Sequence, residues 1–123
     1  MTAFWRGLFA LAACYNLTVG GAMMAAPTQV AGQLGVSGTG AAYAILMVGL
    51  MIAVFGVGYA MVSAAPAKNR GIVWIGVVGK IGAAVLAAVQ FKAGVIPFNT
   101  FLLGMGDLVF VALFALFLWR GPR

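Results

Sequence analysis

At 123 residues, 65% of them hydrophobic and 7% charged, the chain falls far outside the composition of a soluble domain and is expected to be a single all-α domain embedded in a bilayer. The net charge of +6 does not point to nucleic acid, because the seven basic residues are scattered among apolar runs instead of lining one polar face. With no histidine, one cysteine and one acidic side chain, the composition supplies no histidine for haem, no internal disulfide and no carboxylate metal site, so no cofactor and no metal is expected.

The first apolar run extends from about Phe4 to Ala26 and stops at Pro27, since a residue preceding proline is pushed out of the helical region. Pro27 to Gly40 is uncharged and rich in Gly, Ser, Thr and Gln, which reads as a loop lying at an interface. A second run spans about Ala41 to Ala65 and stops at Pro66. The third covers about Ile72 to Phe91 and the fourth about Thr100 to Trp119, with Asn99 or Thr100 placed to cap it. Each run of about 20 to 25 residues crosses a hydrocarbon layer of about 30 Å at about 1.5 Å per residue, so the predicted architecture is a four-helix transmembrane bundle.

If the four helices alternate in direction, Arg6, Lys68 with Arg70, and Arg120 with Arg123 fall on one side, and Lys92 falls alone on the other. The positive-inside rule then places both ends of the chain in the cytoplasm. Trp5, Trp74 and Trp119 near that side form the expected interfacial belt, and Gln90 and Lys92 mark the opposite interface. Two stripes of small residues, Gly49, Ala53, Gly56 and Ala60 on the second span and Gly76, Gly79, Ala83 and Ala87 on the third, imply close helix contact within the bundle, between copies, or both. The two halves of the chain show no convincing repeat, so repeat-based alternating access gains no support.

Several signals along the chain have simpler readings. Leu11-Ala12-Ala13-Cys14 has the form of a lipoprotein cleavage box, but the chain stays apolar for a further dozen residues, which favours an ordinary helix cysteine. Secretory cleavage near Ala26 is disfavoured by Pro27. Asn16-Leu17-Thr18 matches a glycosylation triplet but lies inside an apolar span. Met23, Met24, Met47, Met51 and Met61 read as gap fillers in an apolar interior. Phe110, Phe114 and Phe117 form one stripe equally suited to lipid or to a neighbouring helix.

Ionisable and amide side chains inside a span are costly and mark candidate functional sites. Lys80 lies about 12 Å and Asp107 about 18 Å from the basic end of their helices, and Asn16 reaches a similar depth to Asp107. An Asp107–Lys80 pair hydrogen-bonded by Asn16 leaves no isolated charge in hydrocarbon. The competing arrangement follows from side-chain tilt: on antiparallel helices Lys80 leans toward the basic end and Asp107 away from it, and lysine can snorkel to the headgroups. Gly104 and Gly106 beside Asp107 admit a close neighbour, a ligand or water, and the Tyr15 and Tyr59 hydroxyls are candidates to line a pocket there.

On Tyr15-Asn16-Leu17 with Gly20, Gly49 followed by Gly56-Val57-Gly58-Tyr59, Pro66, Gly79-Lys80 and Gly106-Asp107-Leu108, the chain resembles small bacterial four-helix membrane proteins loosely similar to the DoxX-like proteins. The resemblance implies the architecture, a bacterial inner-membrane location, and a recurring polar set of Asn16, Tyr59, Lys80 and Asp107. Such relatives often carry Asn just before the aspartate, where this chain has Gly106.

Absence of a catalytic constellation and short loops predict a non-catalytic accessory or assembly partner, self-associated or within a larger membrane complex, with no catalytic residues. The alternative is a proton- or cation-coupled carrier of a small molecule built around Asp107. A third reading is a quinone- or lipid-binding protein or membrane enzyme using Asp107 as acid or base and Lys80 as its electrostatic partner.

Overall fold

A computed structural model describes residues 1–123 as five helices without strands: α1 (Thr2–Ala25), α2 (Pro27–Leu34), α3 (Ala41–Ala64), α4 (Arg70–Lys92) and α5 (Phe98–Arg120). All except α2 are long and apolar enough to cross a membrane, so the chain is a four-span membrane protein. Each span of 23 or 24 residues is roughly 35 Å long by rise per residue, and every end lies within two residues of its predicted limit.

The segment expected to be wholly loop contains α2. Its punctuation is local: Pro27 sits at the first helical position, where its missing N–H costs nothing, and Gly35 takes a left-handed conformation at φ 73° to end the helix. The Val36 N–H closes that end on the Ala31 carbonyl at 2.8 Å. The expected side-chain cap on α5 is absent as well. Extended Pro97 precedes the helix, and Asn99 Nδ2 and the Thr100 hydroxyl instead donate to the carbonyls of Gln33 at 2.9 Å and Leu34 at 3.0 Å. These two residues therefore satisfy the open end of α2 and pin it across the bundle.

Helices α1 and α3 form the tightest pair. A methyl group on Gly20 would sit 2.5 Å from the Gly49 carbonyl oxygen and 2.7 Å from the Ala53 nitrogen, so the backbones meet at glycine. The second-span stripe thus serves contact within the bundle, except at Ala60, which faces out. The third-span stripe splits: Gly76 receives the Tyr59 hydroxyl and Ala87 abuts Gly104, while Gly79 and Ala83 are exposed.

Helices α4 and α5 form a second pair, and aromatic side chains join the two pairs at the basic end. Phe9 stacks on Phe114 with ring centroids 4.9 Å apart, Trp5 meets Phe117 edge-on at 5.3 Å, and Tyr59 meets Phe114 at 5.0 Å. The Phe114 and Phe117 stripe therefore faces the core. Trp5 belongs to that core too, at 2% exposure, so of the three tryptophans only Trp74 and Trp119 are exposed and suited to an interfacial belt.

Both chain termini and the α3–α4 connection lie at this same end. The Arg6 guanidinium donates to the Ala64 carbonyl, Ser63 donates to the Arg6 carbonyl, and Asn69 donates to the carbonyls of Met61 and Ala65. Arg70 donates to the carbonyls of Leu118, Gly121 and Pro122 while lying over the Phe117 ring. Arg6 and Arg70 are thus spent on the negative carboxyl ends of α3 and α5. Arg70→Gln is expected to cost about 1–2 kcal/mol, from lost charge-assisted hydrogen bonds at a helix end. Hydrogen exchange should accelerate across Leu118 to Pro122 and stay unchanged in α1; uniform exchange along the chain would show that Arg70 does not hold that end.

Candidate functional site

Away from the aromatic cluster the two helix pairs separate. Helices α1 and α5 barely approach along their backbones, and Tyr15 packs on Phe110 between them with ring centroids 5.5 Å apart. The space left beyond it is a cavity of about 250 Å³. Leu34 of α2 and the Thr100 hydroxyl that pins α2 roof it, so the pocket lies between the aromatic cluster and the short helix.

Lys80 and Asp107 meet on its wall. Lys80 Nζ lies 2.8 Å from Asp107 Oδ1, an ion pair with side-chain exposures of 10% and 24%. The two residues differ in depth by about 6 Å along their helices, which the four-carbon lysine stem makes up. The ammonium also lies 5.2 Å from the Phe110 ring centroid and 6.0 Å from that of Tyr59, within range of attraction to both ring faces. In a low-dielectric interior such a pair holds only with this kind of support, because each charge has lost its water.

Asn16 lines the same cavity but does not bond Asp107, contrary to the expected triad. Its Nδ2 donates to the Ile52 carbonyl at 3.2 Å. The reason is the glycine contact between α1 and α3: a methyl group on Gly56 would lie 3.1 Å from Asn16 Cβ, so α3 comes close enough for the short amide to reach its backbone. Asn16 Oδ1 remains open as an acceptor.

The other candidates divide. Tyr15 borders the pocket at 42% exposure, with its ring on Phe110. Tyr59 is 1% exposed within the aromatic core, below the ammonium and outside the pocket lining. Gly104 borders the pocket and packs on Ala87, whereas Gly106 points away, with nothing near its α-carbon. Cys14 is exposed on the outer face of α1.

Sequence reasoning missed the apolar half of the site. Val19, Met23, Ile52 and Leu103 are ordinary span residues, distinguishable only once the helix pairs are placed. Leu34 carried a weak signal, in the Pro27 and Gly35 that bound its helix. The pocket as a whole is a mainly apolar chamber with a neutralised ion pair, an amide and two hydroxyl-bearing side chains on its walls. No three His, Cys, Asp or Glu side chains come together to hold a metal ion. Compared with protein-family models, curated proteins and solved structures, the chain matches none of them.

Proposed function

We propose that this four-span bundle is a non-catalytic binding protein of the bacterial inner membrane, taking a small amphiphile from the bilayer into the cavity beside Lys80 and Asp107. The observation that carries this reading is the cavity itself. It is bordered by α1 and α5, which part beyond Tyr15 and Phe110, and by residues as exposed as Leu103, so its mouth faces the hydrocarbon. An apolar chamber with a few placed polar groups is the usual form of a small-molecule site. Catalysis is poorly served, because the one carboxylate is already held by an ammonium and no histidine or second acid stands beside it.

A coupled carrier is the weaker reading. Alternating access requires the site to open in turn to both sides, and here Phe9, Tyr59, Phe114 and Phe117 fill the path toward the basic end. A binding bundle of this size suits an accessory role, alone, self-associated or within a larger membrane complex, and its likeness to DoxX-like proteins is part of the same proposal.

The test is mass spectrometry of molecules that co-purify in mild detergent. The unsubstituted chain should carry an amphiphile that Leu103→Trp, which fills the mouth from an exposed position, does not. Equal ligand content in both proteins would refute the site. Orientation is checked separately with single cysteines at Lys68 and Lys92 in a Cys14→Ala background. A membrane-impermeant maleimide applied to intact cells should label position 92 and spare position 68; the reverse labelling would invert the proposed topology.

A further inference from the structure

The hydrogen-bonding capacity left open in the cavity is uneven, and it selects a headgroup. Asp107 Oδ1 accepts from Lys80, and no donor of the chain reaches Asp107 Oδ2. Asn16 spends an amide N–H on Ile52 and keeps its carbonyl oxygen. Thr100 spends its hydroxyl proton on Leu34 and keeps its lone pairs. The three residues that carry these acceptors all line one chamber. The ammonium of Lys80 supplies donors there too, but it is drawn to Asp107 and lies over the Phe110 and Tyr59 rings.

Charge decides the next step. Lys80 and Asp107 together are neutral, in surroundings where an uncompensated charge is expensive. An anionic headgroup would be drawn to Lys80 and repelled by Asp107, a cationic one the reverse, and either would leave a neutral pair in a low-dielectric site with a net charge. An uncharged group that donates a hydrogen bond to Asp107 Oδ2, and accepts one from Lys80 or Asn16 Nδ2, completes the site without unbalancing it. A hydroxyl does both.

Size agrees with a single small headgroup. An apolar cavity of about 150 Å³ suffices for benzene, and this one measures about 250 Å³. Tyr15 of α1 and Leu103 of α5 border the cavity and are both exposed, so an alkyl tail too long for it would leave between these two helices.

We infer that the cavity takes an uncharged, hydroxyl-headed amphiphile, its O–H donated to Asp107 Oδ2 and its tail lying between α1 and α5. This inference rests on the binding reading above and adds the chemistry of the headgroup. A long-chain alcohol and a monoacylglycerol both present that chemistry, and binding assays can separate them.

The experiment loads lipid nanodiscs holding the full chain with equal mole fractions of 1-dodecanol, monolaurin, dodecyl methyl ether, dodecanoate or dodecyltrimethylammonium. Native mass spectrometry then counts the probe retained on the released protein. Dodecanol, monolaurin or both should be retained, and whichever is held more strongly identifies the source. The ether, which lacks only the donated proton, should be retained roughly tenfold less, as expected for losing one hydrogen bond to a charged acceptor. Both ions should be retained less than the alcohols, and Leu103→Trp should abolish retention while leaving the helical content intact. Ether retained as well as the alcohols, or either ion retained best, overturns the headgroup inference; if that retention also vanishes in Leu103→Trp, the binding site itself stands. Retention of no probe by the unsubstituted chain overturns both.

Discussion

Asp107→Leu is expected to destabilise the bundle by about 3–5 kcal/mol, the usual cost of removing one partner of a buried ion pair and leaving the other charge unpaired. Lys80 is the reason. Its side chain is 10% exposed and lies 2.8 Å from the only carboxylate side chain in the sequence. Deleting that carboxylate leaves an ammonium facing two aromatic rings, an amide and apolar walls. Ring faces offset part of the loss, at about 0.5–2 kcal/mol for a cation on an aromatic face, which is less than the charge requires. Replacing both residues together, Lys80→Met with Asp107→Leu, should restore most of the stability, because a hydrophobic pair of similar volume often equals or exceeds an ion pair.

The double-mutant cycle is read from unfolding in a detergent that preserves the unsubstituted fold. A double variant no more stable than Asp107→Leu alone would show that Lys80 does not depend on Asp107 for its charge balance. A restored double variant that has also lost its bound amphiphile would place the role of the pair in recognition instead of in holding the fold.

Gly20→Leu is expected to separate α1 from α3 and cost about 3 kcal/mol or more, at the upper end of what overpacking does. The neighbours of a side chain at that position are backbone atoms of α3, the Gly49 carbonyl oxygen and the Ala53 nitrogen, which cannot rotate away. Asn16 lies one turn earlier on the same face, so the hydrogen bond to Ile52 should be lost with the contact. Gly21→Ala is the control. Nothing lies near its α-carbon, and the change should fall within about 0.5 kcal/mol of neutral. Thermal unfolding in matched micelles checks both, and equal midpoints for the two variants would mean that α1 and α3 do not pack through Gly20.

How much of this was legible beforehand depends on the kind of residue. Asn16, Lys80 and Asp107 stood out because polar groups are rare and expensive in apolar spans, a property of each residue alone. Whether Lys80 and Asp107 met was open, because the tilt of side chains on antiparallel helices argued against it and the reach of a lysine stem argued for it. The destination of Asn16 was not legible at all. Its partner is a backbone carbonyl, which carries no sequence signature, and reaching it requires the glycine contact at Gly56.

The four spans, the grouping of basic residues at one end and the short list of intramembrane polar groups are legible in the residues alone. Span length and side-chain chemistry are local quantities, and a bilayer of fixed thickness turns them directly into architecture. Which faces meet depends on how the helices pack. The spans are apolar on nearly every side, so hydrophobicity cannot mark the buried face, and close packing has to do so instead. That packing drew Trp5, Phe114 and Phe117 into the core, split the third-span glycine stripe, and turned α2 over the cavity. The pocket beside Lys80 and Asp107 exists because the two helix pairs join at their aromatic end and part at the other.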